Sequence, residues 1–219
     1  MHAEQVTEPV DRERDRSPLR WYVRLVLRYA GRGPYLEVGG DGRLLRRLAE
    51  HGPASGVAPS AGTAARIRAE APGCPVHRLV DVPDGSFRCV VAIDALGRTD
   101  DPEQDLSDVR EWRRVLVPGG RAIVLVPDAA GRGAELTGDA GAGARAVRRS
   151  HADWLRLFAE AGLSVQREGS DGLSRGPYGR IPTWLDPRRL PARVQQAFGS
   201  LYLSPGEGEN SVFVLERPN

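Results

Sequence analysis

The chain has 219 residues, 40% of them apolar and 27% charged, with 31 basic against 29 acidic side chains for a net charge of +2. That length fits one domain with a sizeable core, and the composition is that of a soluble globular protein. The weak net charge argues against a nucleic-acid binder. The two cysteines, Cys74 and Cys89, are too few for a disulfide framework and show no metal-ligand spacing, so no metal site is expected.

All basic side chains are arginine, and Gly and Pro are abundant (26 and 17 residues), which suggests a high-GC bacterial source. No charged segment followed by an apolar core opens the chain, and no apolar run approaches the ~20 residues of a membrane span. The expected setting is the reducing cytoplasm.

Residues 1–17 are polar and of mixed charge, and are expected to form a disordered N-terminal arm ahead of a single domain over 18–219. Pro18 opens a predicted helix over 18–30, with Arg20, Arg24 and Arg28 as a basic stripe beside Trp21, Leu25 and Tyr29. Three readings of this helix stay open: a packed surface helix, a lid over a pocket, or a membrane-surface helix.

From Tyr35 strands and helices alternate. "YLEV" reads as a strand, "GRLLRRLAEHG" as a helix ended by Gly52, "SGVA" as a short strand, and "AGTAARIRAEA" as a helix stopped before Pro72. "VHRLV" and "FRCVVAI" read as strands three and four. "PEQDLSDVREWRRVL" follows as an amphipathic helix ended at "PGG", and "RAIVLVP" as strand five.

Asp128–Arg149 is rich in Ala and Gly and reads as a mobile connection. Ser150, with Asp153 three residues on, caps the helix "HADWLRLFAEAG". "LSVQRE" and "SVFVLER" supply strands six and seven. Between them lies a proline-rich insertion, 169–210, far longer than a hairpin needs. Its Tyr178 and Trp184 are candidates to line an acceptor pocket. Such alternation specifies an α/β fold with a mostly parallel sheet and helices on both faces.

The stretch "LEVGGDGRLL" places glycines where a strand turns into a helix, at the carboxyl end of the first strand. Glycine there permits tight turning and close ligand approach, and open α/β sheets bind ligands at that end. Followed by "SGVAPSAGTAARIRAEAP", "PDGSFRCVVAIDAL" and "DDPEQDLSDVREWRRVLVPGGRAIVLVP", it resembles the class I S-adenosylmethionine-dependent methyltransferases, and more narrowly their type 11 group. The resemblance spans Tyr35 to Val126, and more weakly Ser150 to Glu168. It implies a Rossmann-like fold with a seven-stranded sheet whose last strand runs antiparallel.

The resemblance also implies a cofactor site for S-adenosylmethionine. Glu37 and Gly39 match the family's acidic-x-Gly-x-Gly-x-Gly turn, and one deleted residue brings Gly40 and Gly42 into register with the later glycines. After strand two, the position of the ribose-binding acid falls on Ala58, followed by Pro59. Asp81 is the candidate acid near the adenine, and Asp94 and Leu96 fit the run after strand four, where Gly97 and Arg98 depart from the family. No catalytic residue is assigned, since a sulfonium methyl needs alignment more than activation.

The implied function is methyl transfer to a small-molecule or glycan-precursor acceptor. The altered turn, Ala58, and Arg88 in "PDGSFR" support the alternative of an inactive relative serving as a binding subunit for a protein partner.

Overall fold

The computed structural model describes residues 16–97, 101–137, 149–176 and 178–219. Residues 1–15 of the expected arm and most of the expected mobile connection, 138–148, lie outside them. Helix α1 (Arg16–Ala30) leads into β1 (Tyr35–Val38), α2 (Arg43–Ala49), β2 (Ala54–Val57), α3 (Ala61–Glu70) and β3 (Val76–His77). Then come β4 (Phe87–Ile93), α4 (Pro102–Val115), β5 (Leu116–Pro127), α5 (Arg132–Thr137), α6 (His151–Glu160), β6 (Ser164–Ser170), α7 (Leu190–Phe198) and β7 (Asn210–Glu216).

The sheet order is β3-β2-β1-β4-β5-β7-β6. The pairs from β3 to β5 are parallel, and β7 runs antiparallel between β5 and β6. Both faces are covered, which is why the central strands read as continuous apolar runs rather than alternating ones. Val90, Ala92, Val124 and Phe213 pack with Trp112 of α4 and Trp154 and Phe158 of α6 on one face. Cys89, Val91, Ile123 and Val214 pack with Trp21 and Leu25 of α1, Leu45 and Leu48 of α2 and Ile67 of α3 on the other.

Three elements differ from their sequence reading. The third strand stops at His77 instead of continuing to Val80. Its only pairing is Gly56 with Val76 and Val57 with His77, and β2 ends there. Without a further ladder partner the chain turns into a 3-10 helix over Leu79–Asp81. The "LVPGG" stretch, read as a helix terminus, instead begins β5, since Leu116 already pairs with Phe87. Helix α1 starts at Arg16, two residues before Pro18, and its Trp21, Leu25 and Val26 are fully buried.

The insertion begins at Asp171, after β6, and is fastened from inside. Gln195 of α7 is fully buried; its Nε2 donates to Ser170 O (2.7 Å), and its Oε1 accepts from Tyr202 N (2.7 Å) and Leu203 N (2.9 Å). Asp171, also buried, accepts from Glu209 N, Asn210 N and Asn210 Nδ2. Gln195→Leu strands one carbonyl and two N–H groups, so it is expected to cost about 3 kcal/mol and to expose the insertion to protease. Urea unfolding and limited proteolysis read both effects.

Candidate functional site

At the carboxyl end of β1, Gly39 and Gly42 hold φ of 78° and 96°, a region open chiefly to glycine. All three glycines are also closely surrounded. A Cβ on Gly39 would stand 3.0 Å from Ala95 Cβ, one on Gly42 would stand 3.1 Å from the Ile67 backbone of α3, and one on Gly40 would fall 2.2 Å from Glu37 Oε1. The shortened spacing therefore still produces a glycine turn, with Gly40 lying directly over the Glu37 carboxyl.

Gly42 is the N-cap of α2 and has no side chain to satisfy the helix's first N–H groups. Glu37 places its carboxyl beside that first turn, where the backbone N–H of Leu45 favours the charged form. Its carboxyl is 5% exposed, and Oε2 has no hydrogen-bond partner among the described residues. Burial, reinforced by nearby Asp41, pushes its pKa up to about 7. Asp41 itself accepts from Arg43 N (3.1 Å) and Arg43 Nε (2.8 Å), closing the turn.

The remaining candidates fall into two groups. Ala58 lies directly after β2, buried in the core beside α3, and its N–H donates to His77 O at 3.0 Å. Pro59 is exposed beside it, and Ser60 caps α3 by accepting from Thr63 N. Asp94 follows β4 with φ of 53° and donates its N–H to Leu125 O at 3.0 Å. Thus Glu37, Gly39, Gly40, Gly42, Ala58 and Asp94 all sit at the carboxyl ends of the neighbouring strands β2, β1 and β4. Leu96 is a core side chain at 1% exposure, and Asp81 is exposed on the 3-10 helix beyond the sheet's edge strand. Arg98 lies outside the described residues.

A second set of residues was not signalled by sequence, because chain segments far apart contribute to it. Tyr22 of α1, Asp94 after β4, and Asp171, Arg175 and Glu209 of the insertion act on one another electrostatically. Burial, then Asp171 and Asp94, push the Tyr22 phenol up. Glu209 accepts from Ser174 N (3.0 Å) and Arg175 N (2.5 Å). Arg175 Nε stands 3.2 Å from its Oε2, an ion pair without hydrogen-bond alignment. Burial raises Glu209 to about 7, helped by Asp171, and burial raises Asp171 to about 6. Tyr178 is buried at 5% exposure, whereas Trp184 is 70% exposed and lines no interior pocket.

His151, in the first turn of α6, is only 15% exposed in its side chain. It stacks on Phe213 with ring centroids 4.5 Å apart. Its Nδ1 lies 2.8 Å from Ser211 Oγ, which donates to Asp128, and its Nε2 lies 3.0 Å from Glu168. These bonds tie α6 to β6, β7 and the end of β5. Among the described residues no group of three or more His, Cys, Asp and Glu side chains is placed to hold a metal ion, and no helix is long and apolar enough to cross a membrane.

The sheet order and the glycine turn define the class: the chain has the fold of the class I S-adenosylmethionine-dependent methyltransferases. Residues 36–124 match the methyltransferase-domain family. A SAM-dependent methyltransferase from Thermotoga maritima superposes with a TM-score of 0.63 at 20% identity, over 91% of this chain and 89% of that one. The N-methyltransferase NodS from Bradyrhizobium japonicum, in complex with S-adenosyl-L-homocysteine, gives 0.63 at 13% identity over 96% and 90%. An S-adenosylmethionine-dependent methyltransferase from Mesorhizobium loti gives 0.59 at 17% over 89% and 95%. No curated protein sequence matches the chain.

Glu37 carries a pH signature. Its folded pKa of about 7 exceeds the ordinary 4.5, so the folded state holds this proton to higher pH than the unfolded state does. The stability it lends is complete below 4.5 and is lost as pH rises to about 7. Glu37→Gln keeps the size and an oxygen acceptor of the side chain and removes the charge. It is expected to change little at pH 4.5 and to raise stability at pH 8 by on the order of 3 kcal/mol, checked by urea unfolding at the two pH values.

Proposed function

We propose that the chain is an S-adenosylmethionine-dependent methyltransferase acting on a small-molecule or glycan-precursor acceptor. The observation that carries this reading is the intact glycine turn. Although its spacing departs from the family pattern, Gly39 and Gly42 keep positive φ, and Gly40 admits the Glu37 carboxyl where a Cβ would stand.

The residues fit one half of the cofactor. Glu37 Oε2 is a buried acceptor without a partner among the described residues, suited to the amino group of the methionine end, and the three glycines keep side chains out of that space. When bound, the cofactor supplies an activated methyl on a sulfonium. The protein then has to align an acceptor atom with that methyl and exclude water. Asp94 stands at the end of β4, next to the turn, within electrostatic reach of Tyr22 of α1 and Arg175 of the insertion.

The other half fits poorly. Ala58 stands where the resemblance implies a ribose-binding acid, and its methyl group accepts no hydrogen bond. This one observation favours the second reading, an inactive relative that keeps the fold as a binding subunit. Titration calorimetry with S-adenosylmethionine and S-adenosylhomocysteine separates the two. Micromolar binding is expected for the enzyme, and no binding up to millimolar cofactor for the inactive relative. Ala58→Asp is expected to tighten binding roughly tenfold or more by restoring a charged acceptor. Unchanged affinity would remove Ala58 from the ribose position.

A further inference from the structure

Helix α7 is built inside out. Ala192 and the amide of Gln195 face the core, while Leu190, Val194 and Phe198, four residues apart, form one stripe on the solvent side. Of the ten large apolar side chains exposed among the described residues, seven lie between Ile181 and Tyr202, with Trp184 70% and Phe198 66% exposed. Monomeric proteins seldom expose so many along one short stretch of chain without a partner.

The charge around this patch is one-sided. Residues 19–30 of α1 and residues 180–202 together contain seven arginines and one acid, in a chain whose overall charge is only +2. That acid, Asp186, is 2% exposed and paired with Arg188 at 2.7 Å. Arg24 donates to the carbonyls of Gln196 (3.4 Å) and Ala197 (2.7 Å) at the end of α7. Arg24, the middle of the exposed stripe Arg20, Arg24 and Arg28, is thereby held at the C-terminal end of α7.

We propose that this face, the apolar stripe of α7 with Trp184 and Tyr202 flanked by the arginines of α1, docks on an anionic lipid bilayer surface. Exposed aromatic and aliphatic side chains would enter the headgroup boundary, and arginines at their edge would meet lipid phosphates. Charge selects this occupant. A second copy packed isologously would bring two arginine-rich faces together. The acidic residues 1–15 carry too few large apolar side chains to cover Trp184, Leu190 and Phe198. The inference stands apart from methyl transfer, since none of these residues belongs to the glycine turn.

The test uses the full chain with vesicles of phosphatidylcholine alone or mixed with phosphatidylglycerol. Co-sedimentation is expected with the anionic vesicles, on the order of tenfold weaker with neutral ones, and weakened near 1 M salt. Trp21, Trp112 and Trp154 are at most 1% exposed, so a blue shift of tryptophan emission on binding reports Trp184. The paired variant Trp184→Ser/Phe198→Ser is expected to abolish binding, and Arg20→Glu/Arg28→Glu to reduce it on the order of tenfold or more, both with unchanged circular dichroism. Failure to bind anionic vesicles would overturn the proposal, as would equal binding to both kinds. A dimer in sedimentation velocity that Trp184→Ser/Phe198→Ser dissociates would assign the patch to a second copy instead.

Discussion

Three backbone segments converge at the carboxyl end of β1 with no room for a side chain between them. Gly39 lies against Ala95 after β4, Gly42 against Ile67 of α3, and Gly40 against the carboxyl of Glu37. The distances between β1, β4, α2 and α3 follow from these contacts. A Cβ at Gly42 would press α3 away from α2, and one at Gly39 would press the β4 turn away from the β1 turn. The same closeness creates the site, because a turn without side chains leaves backbone and one buried carboxylate facing whatever binds there.

Glu37 then serves fold and site together. Its carboxyl lies against the first turn of α2, which Gly42 leaves without a side-chain cap, and as a buried acid it carries one oxygen with no partner among the described residues. A purely structural cap at this position would work as a glutamine, without the burden of a buried charge. Asp94 shows a related compromise, holding a left-handed φ at the end of β4 where the chain must turn back toward α4. Local strain and incomplete polar pairing coincide at the end of two adjacent strands, where α/β sheets take their ligands.

Much of this was legible in the sequence because local chemistry and global fold agree over residues 35–126. Apolar runs mark strands covered on both faces, Ser150 and Asp153 announce α6 through a capping box that forms as read, and glycines fall at the turn that needs them. The misreadings came where pairing partners decide. "VHRLV" is apolar enough for a strand, but β2 is too short to extend it past His77. "LVPGG" looks like a helix stop, but Leu116 finds Phe87 and begins the strand early. The cluster of Tyr22, Asp94, Asp171, Arg175 and Glu209 was invisible because residues up to 187 positions apart meet only after folding.

Helix α7 shows the limit in its sharpest form. A Leu190, Val194, Phe198 stripe has the spacing that ordinarily marks the core-facing side of a helix. Here the opposite side is buried, because Gln195 alone can satisfy Ser170 O, Tyr202 N and Leu203 N where the insertion rejoins β6 and β7. Leaving those three backbone groups without partners in the interior would cost more than one helix turn recovers by burying its leucine and valine. The polar demand of the insertion's own backbone fixes which face turns inward, and the apolar stripe is left outside for another surface to cover. Periodicity reports that two faces differ; the hydrogen-bond requirements of the neighbouring chain decide which of them meets the core.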